Sequence, residues 1–196
     1  YTSVLKDHFQ SIFAEADLYV SNALAIKAGG RFEYSSILKK SNIAPRISFA
    51  YKAGNNAQMS LAFGEFYQKP ENTQLINNYT GLPRALGYTK ATHYLVNYIK
   101  TTALQTFRVE AYYKKYNNLV KTFPDTNVLG SGYAQGFELF WRDKKTIKNI
   151  DYWISYSYLD TKRQFQNYPT EMQPTFATPH TFNVVAKNFV TKWKTG

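Results

Sequence analysis

Cysteine is absent from this sequence, which excludes a disulfide framework and any zinc site built on thiolates. Acidic residues are scarce: 13 Asp and Glu stand against 24 Lys and Arg, a net charge of +11. No run of about 18 apolar residues occurs, so no membrane-crossing helix is expected. The opening Tyr1-Thr2-Ser3-Val4-Leu5-Lys6 lacks the basic start and apolar stretch of a secretory leader. The mean hydropathy of -0.45 looks like that of a water-soluble protein, but a membrane barrel meets lipid with only every second residue and so escapes that test.

What the chain does have is aromatic mass, with 17 Tyr and 14 Phe among 196 residues, which a disordered chain would not carry. Its basic residues are scattered in short clusters such as Lys39-Lys40, Lys144-Lys145 and Lys162-Arg163. A nucleic-acid binder gathers its charge on one face or in one run, so nucleic acid is not expected as a partner. Solvated turns are the plain account of these clusters, and contact with anionic lipid headgroups is the sharper one.

The repeated signal is alternation with period two, which a strand sorts onto opposite faces and a helix would mix. Ile12, Ala14, Ala16, Leu18 and Val20 alternate with Ser11, Glu15 and Asp17, with Phe13 and Tyr19 among the latter set. Leu24, Ile26, Ala28, Phe32 and Tyr34 alternate with Lys27, Arg31, Glu33 and Ser35. The pattern recurs around Phe49, Leu61, Val96, Val109, Leu139, Ile154 and Val184, giving about nine strands near the length a tilted strand needs to cross a bilayer. The polar set holds charges in mid-strand: Glu15, Asp17, Arg31, Glu33, Arg108, Glu110 and Glu138. The apolar set is rich in rings, and Tyr34, Tyr51, Tyr98, Trp141 and Tyr158 suit interface girdles.

Soluble sandwiches also alternate, so the connections carry the decision. Short links around residues 21–22, 53–56, 101–103 and 143–146 are expected to alternate with longer ones over residues 37–42, 69–89, 117–131 and 160–179. Tight turns at one rim and large loops at the other are the mark of an outer-membrane barrel. The expected fold is therefore all-β, an antiparallel up-and-down meander forming part of a transmembrane β-barrel. Single-chain bacterial barrels have an even strand number, so residues 1–196 read as one barrel segment with further strands outside it, the alternative being a self-contained barrel of 8 or 10 strands.

Particular stretches resemble a family. Phe13-Ala14-Glu15-Ala16-Asp17-Leu18-Tyr19 followed by Lys27-Ala28-Gly29-Gly30-Arg31-Phe32-Glu33-Tyr34 is similar to adjacent strands of TonB-dependent receptors of the Bacteroidetes type. Ala44-Pro45-Arg46-Ile47-Ser48-Phe49-Ala50-Tyr51-Lys52, leading to Phe66-Tyr67-Gln68-Lys69-Pro70, resembles that family's Pro-Arg strand entry and the aromatic-to-Pro exit before an outer loop. Tyr133-Ala134-Gln135-Gly136-Phe137-Glu138-Leu139 and Tyr152 through Asp160 resemble later strands. The resemblance implies an outer-membrane receptor that takes up a scarce nutrient with TonB-supplied energy. It implies as partners the outer-membrane lipid and lipopolysaccharide, a plug domain, the TonB complex and a nutrient ligand. Neither plug nor TonB box is recognised in these residues, and iron chelate, cobalamin, glycan and peptide all remain open as the nutrient. A non-energised barrel (pore, adhesin or structural protein) is the alternative, and a barrel enzyme a more distant one.

No catalytic site is expected. His8, His93 and His180 lie far apart, and no zinc-protease helix, phosphate loop or dinucleotide fingerprint occurs, so no metal or cofactor is expected either. Glu33, Arg46, Arg108, Glu110 and Glu138 are the charges expected to face inward, against a plug, a substrate path or one another. Tyr79, Arg84, Tyr88, Phe123, Arg163, Phe165 and Tyr168 fall in the long connections and are the candidates for ligand capture, since rings and arginine suit a binding mouth.

Overall fold

The alternating stretches form one nine-stranded antiparallel sheet whose strands pair in chain order. The computed structural model describes residues 6–76 and 84–188. The strands are β1 (Phe9–Tyr19), β2 (Leu24–Ser35), β3 (Lys40–Lys52), β4 (Ala57–Gln68), β5 (Thr89–Thr101), β6 (Gln105–Lys121), β7 (Asn127–Asp143), β8 (Ile150–Arg163) and β9 (His180–Asn188). Among the described residues the only helix is α1 (Asn72–Leu75), a single turn in the β4–β5 connection.

Register turns the local alternation into two continuous faces. Directly paired residues share a face, and the pairs Lys27↔Ser48, Gly29↔Arg46, Asn97↔Glu110 and Glu138↔Ser157 run along the polar one. Phe49↔Leu61, Leu61↔Val96, Val109↔Leu139 and Ile154↔Val184 run along the apolar one. Leu61 is 54% exposed and Val184 56%. A sheet with such a face is stable only against something that is not water.

The apolar band has membrane dimensions. On β5 the outward residues Lys90 and Lys100 bracket Thr92, Tyr94, Val96 and Tyr98. Ten steps at ~3.4 Å, inclined by ~40°, span about 26 Å of depth, against ~25 Å for the lipid-facing band of such barrels. Near one edge Tyr98, Phe107 and Trp141 form a row with ring centroids 6.3 and 6.2 Å apart. Towards the other, Phe63, Tyr94 and Tyr113 form a second row at 5.3 and 6.3 Å. Of the expected girdle residues, Tyr98 and Trp141 stand in the first row, and Tyr158 packs on Phe137 and His180. Tyr34 and Tyr51 lie on the same apolar face.

The structure changes the loop pattern. One rim carries tight connections at residues 20–23, 53–56, 102–104 and 144–149, as expected. At the opposite rim only the β4–β5 and β8–β9 connections are long, over residues 69–88 and 164–179. The β2–β3 link shrinks to residues 36–39 and the β6–β7 link to residues 122–126, because these strands run on beyond the alternating stretch. β6 and β7 reach 17 residues each, well past the span expected, with register shifts between Tyr116 and Lys121 and a positive φ at Asn118. Backbone pairing continues there without the alternation that lipid imposes, so hydropathy alone marked the segment as loop.

The buried apolar cluster is small. Leu38, Leu75, Leu86 and Tyr88 pack with Ile37, Tyr67 and Val128 at the loop-bearing rim.

Candidate functional site

Two regions carry the polar chemistry: the polar face of the sheet and the loop-bearing rim above it. All five charged residues expected to face inward lie on that polar face, as the pairs Glu33↔Asn42, Arg46↔Gly64, Ile99↔Arg108 and Glu110↔Glu138 show. Their neighbours differ. Glu33 pairs with Arg31 at 2.6 Å and accepts from the Asn42 amide at 3.3 Å. Arg46 lies over the Phe66 ring at 5.1 Å, and Arg108 over Phe140 at 5.8 Å. Mutual ion pairing along the wall therefore holds for Glu33, while the two arginines rest on aromatic faces.

Glu110 and Glu138 stand directly opposite one another, with the Asn97 amide donating to Glu110 at 3.3 Å. Like charges in direct cross-strand register are unfavourable, and the Asn97 amide and Arg108, two residues before Glu110 on the same face, are the donor and the cation nearest to them in register. Beside it an open recess of ≈ 290 Å³ is lined by Arg108, Glu138, Ser155, Ser157, Thr181 and Asn183. A larger recess of ≈ 470 Å³ lies on the apolar side, among Phe49, Leu61, Phe63, Tyr94, Val96 and Tyr113. Its lining offers almost nothing to orient a polar ligand, so it belongs to the lipid-facing surface.

At the loop rim the expected ligand residues separate into two groups. Arg84 and Tyr88 are committed to structure. The Arg84 guanidinium donates to Thr126 Oγ1 at 2.8 Å and to the Gln74 carbonyl at 3.4 Å, tying the β4–β5 connection to the β6–β7 hairpin. Tyr88 is buried at 6% exposure, its ring edge-on to Tyr67 at 6.4 Å, and burial raises its phenol above the usual value. The second group lines the β8–β9 side. Arg163 stacks on Tyr116 at 4.3 Å and on Phe176 at 5.6 Å, and among the described residues its buried Nε finds no hydrogen-bond partner. Phe165 and Tyr168 pack edge to face at 5.2 Å in the same connection. Phe123 stands 61% exposed in the β6–β7 turn. Tyr79 lies outside the described residues.

Sequence reasoning missed the residue that knits the rim together. Asp7 accepts from Ser35 Oγ at 3.0 Å, from the Ile37 N–H at 3.2 Å and from Lys69 Nζ at 2.7 Å. Burial works against its charge, but Lys69, the Ile37 N–H and the Ser35 hydroxyl outweigh it and lower the carboxyl to about 2. An acidic residue ahead of an alternating stretch carries no local mark of such a role. Tyr116 and Phe176, the partners of Arg163, were missed for the same reason.

The family described as TonB dependent receptor-like, beta-barrel, matches residues 2–196. Among solved structures, the FrpB iron transporter of Neisseria meningitidis is 10% identical with a TM-score of 0.74, over 96% of this chain and 31% of that one. The ferric-catecholate import receptor Fiu of Escherichia coli K12 is 10% identical with a TM-score of 0.72, over 94% of this chain and 32% of that one. The siderophore receptor PirA of Pseudomonas aeruginosa is 11% identical with a TM-score of 0.71, over 80% and 33%. The chain thus spans about a third of the length of these structures. No curated protein matches it.

Proposed function

Because the chain belongs to the TonB-dependent receptor-like β-barrel family, whose barrels lie in the bacterial outer membrane, we propose that it forms part of the wall of a receptor taking up a scarce nutrient with energy supplied through TonB. The observation that carries this reading is the division of one continuous sheet into an apolar band of bilayer depth and a charged opposite face, with the two long connections at one rim. In the proposal the apolar band meets outer-membrane lipid and lipopolysaccharide. The charged face looks into a lumen, and further strands beyond β1 and β9 close the barrel. Glu33, Arg46, Arg108, Glu110 and Glu138 then face a plug domain. The loop-bearing rim faces outward, where Arg163 at the end of β8, Phe165 and Tyr168 in the β8–β9 connection and Phe123 in the short β6–β7 turn offer a cation and aromatic surfaces to a ligand. Arg84 and Tyr88 shape this mouth rather than touch what enters it. The three solved structures compared above are named for iron, ferric-catecholate or siderophore handling, and another match is named a copper transporter, which makes a ferric chelate the first nutrient to test.

The test is uptake of labelled ferric siderophore by cells carrying the full-length gene, with and without TonB. Uptake should require both, and Arg163→Ala should raise the half-saturating concentration about tenfold with the surface level unchanged. Uptake that persists without TonB identifies a non-energised pore. Absence from the outer-membrane fraction refutes the reading altogether.

A further inference from the structure

The tight-turn rim has a feature that the receptor reading does not use. The β5–β6 and β7–β8 turns sit side by side, joined by the Lys144 N–H donating to the Leu104 carbonyl at 2.9 Å. The second turn is held rigid by the Asp143 carboxylate. It accepts from the Lys145 N–H at 2.6 Å, the Thr146 N–H at 2.9 Å and the Gln105 side-chain amide at 3.1 Å. Each of these turns exposes an aliphatic side chain, with Leu104 and Ile147 both 47% exposed. A single exposed aliphatic residue is ordinary on a wet surface, but here two occur on adjacent, hydrogen-bonded turns at the edge of the apolar band.

The charges around them are unbalanced. Lys100, Lys145 and Lys148 are exposed, and among the described residues none of them forms an ion pair. The neighbouring carboxylates are already engaged: Asp143 in its own turn, and Asp151 with Arg142 at 2.6 Å and Lys144 at 3.9 Å. Lys100 lies on the apolar face, paired with Phe107, which pairs in turn with Trp141. The backbones of Lys100 and Trp141 therefore lie about 10 Å apart, two strand spacings, on the same face. The order from the band outward is aromatic row, then aliphatic turn tips and free ammonium groups. That order matches the layers of a phospholipid leaflet: acyl boundary, interface, phosphate.

We propose that the rim formed by residues 102–104 and 144–149, with Lys100, binds the headgroups of anionic phospholipids. Leu104 and Ile147 dip into the interface while Lys100, Lys145 and Lys148 meet the phosphates. This rests on the receptor reading, which turns this rim toward the phospholipid leaflet. Unpaired lysines at an anionic surface each add to binding and make it sensitive to salt.

The test uses the full-length receptor in neutral detergent, incubated with phosphatidylglycerol or phosphatidylcholine and examined by native mass spectrometry. The wild type should retain phosphatidylglycerol preferentially. The preference should fall roughly fivefold for each lysine removed in Lys100→Gln, Lys145→Gln and Lys148→Gln, and fall with ionic strength. Heat-modifiable gel mobility confirms that each variant is folded. Equal retention of the two lipids by the wild type overturns the proposal. So does an unchanged preference in the triple variant, or a rim that instead captures an acidic soluble protein while lipid retention stays flat. TonB-dependent uptake by the wild type tests the receptor reading separately. Uptake without lipid preference sinks only the lipid proposal, and lipid preference without uptake sinks only the receptor reading.

Discussion

Leu139 and Glu138 are neighbours in the chain and opposites in the fold, so exchanging each in turn tests the facing of the whole sheet. Leu139 pairs with Val109 on one side and Tyr156 on the other, along the apolar face. It lies four positions from Asp143 and four from Gln135, the polar residues that end the band on β7. Four steps at ~3.4 Å are about 14 Å of strand, or about 10 Å of depth at ~40° of tilt, which puts Leu139 near the bilayer centre. Arginine there should cost about 2–4 kcal/mol, since its charge must leave water or drag water in. Glu138→Gln keeps the shape and removes one of two facing carboxylates, so it should cost less than ~0.5 kcal/mol or stabilise slightly. The assay is urea unfolding of the full-length receptor refolded into phosphatidylcholine vesicles, followed by tryptophan fluorescence. Equal losses for both variants would refute the assignment of the faces, and a larger loss for Glu138→Gln would reverse it.

Asp7→Asn should loosen the loop rim. A carboxyl lowered from 3.8 to about 2 contributes roughly 2 kcal/mol, present above pH ~4 and lost as pH falls toward 2. Amide exchange at residues 35–38 should therefore speed up in the variant at pH 7, while the wild type converges on it only near pH 2; identical protection at pH 7 would refute the role. Gly136→Ala should cost about 1–3 kcal/mol, because a Cβ there meets the Tyr158 carbonyl oxygen and lies 2.9 Å from the Tyr112 hydroxyl, whereas Gly30→Ala finds its nearest atom at 4.0 Å and should fold with near wild-type yield. Comparable refolding yields for the two would argue against this packing. Residues 1–196 expressed by themselves without detergent should self-associate, because the apolar face far exceeds what a soluble monomer exposes. A monodisperse monomer in sedimentation, with protected strands, would contradict this.

The fold was legible where lipid imposes a local rule. Successive side chains of a strand point to opposite faces, so Leu24, Leu61, Val109, Leu139 and Ile154 could be told from Glu33, Arg108 and Glu138 by position alone. The register places the two sets on opposite faces. Strand ends were not legible where that rule stops. Tyr116, Asn117, Asn118 and Leu119 do not alternate, yet β6 continues through them, because backbone pairing does not depend on which side chains it carries.

The site divides along the same line. Periodicity sufficed to put charges on one face, and Arg84, Tyr88, Phe165 and Tyr168 in the long connections, whereas Arg163 proved to end β8 and Phe123 to sit in a short turn. Only the tertiary structure decided that Arg84 is spent on Thr126, that Tyr88 is buried with Leu38 and Leu75, and that Arg163 rests between Tyr116 and Phe176. It also decided that Asp7 joins Ser35 and Lys69. The physical reason is distance along the chain. Alternation is written in neighbouring residues, whereas each of these contacts joins segments that meet only when the strands between them have paired.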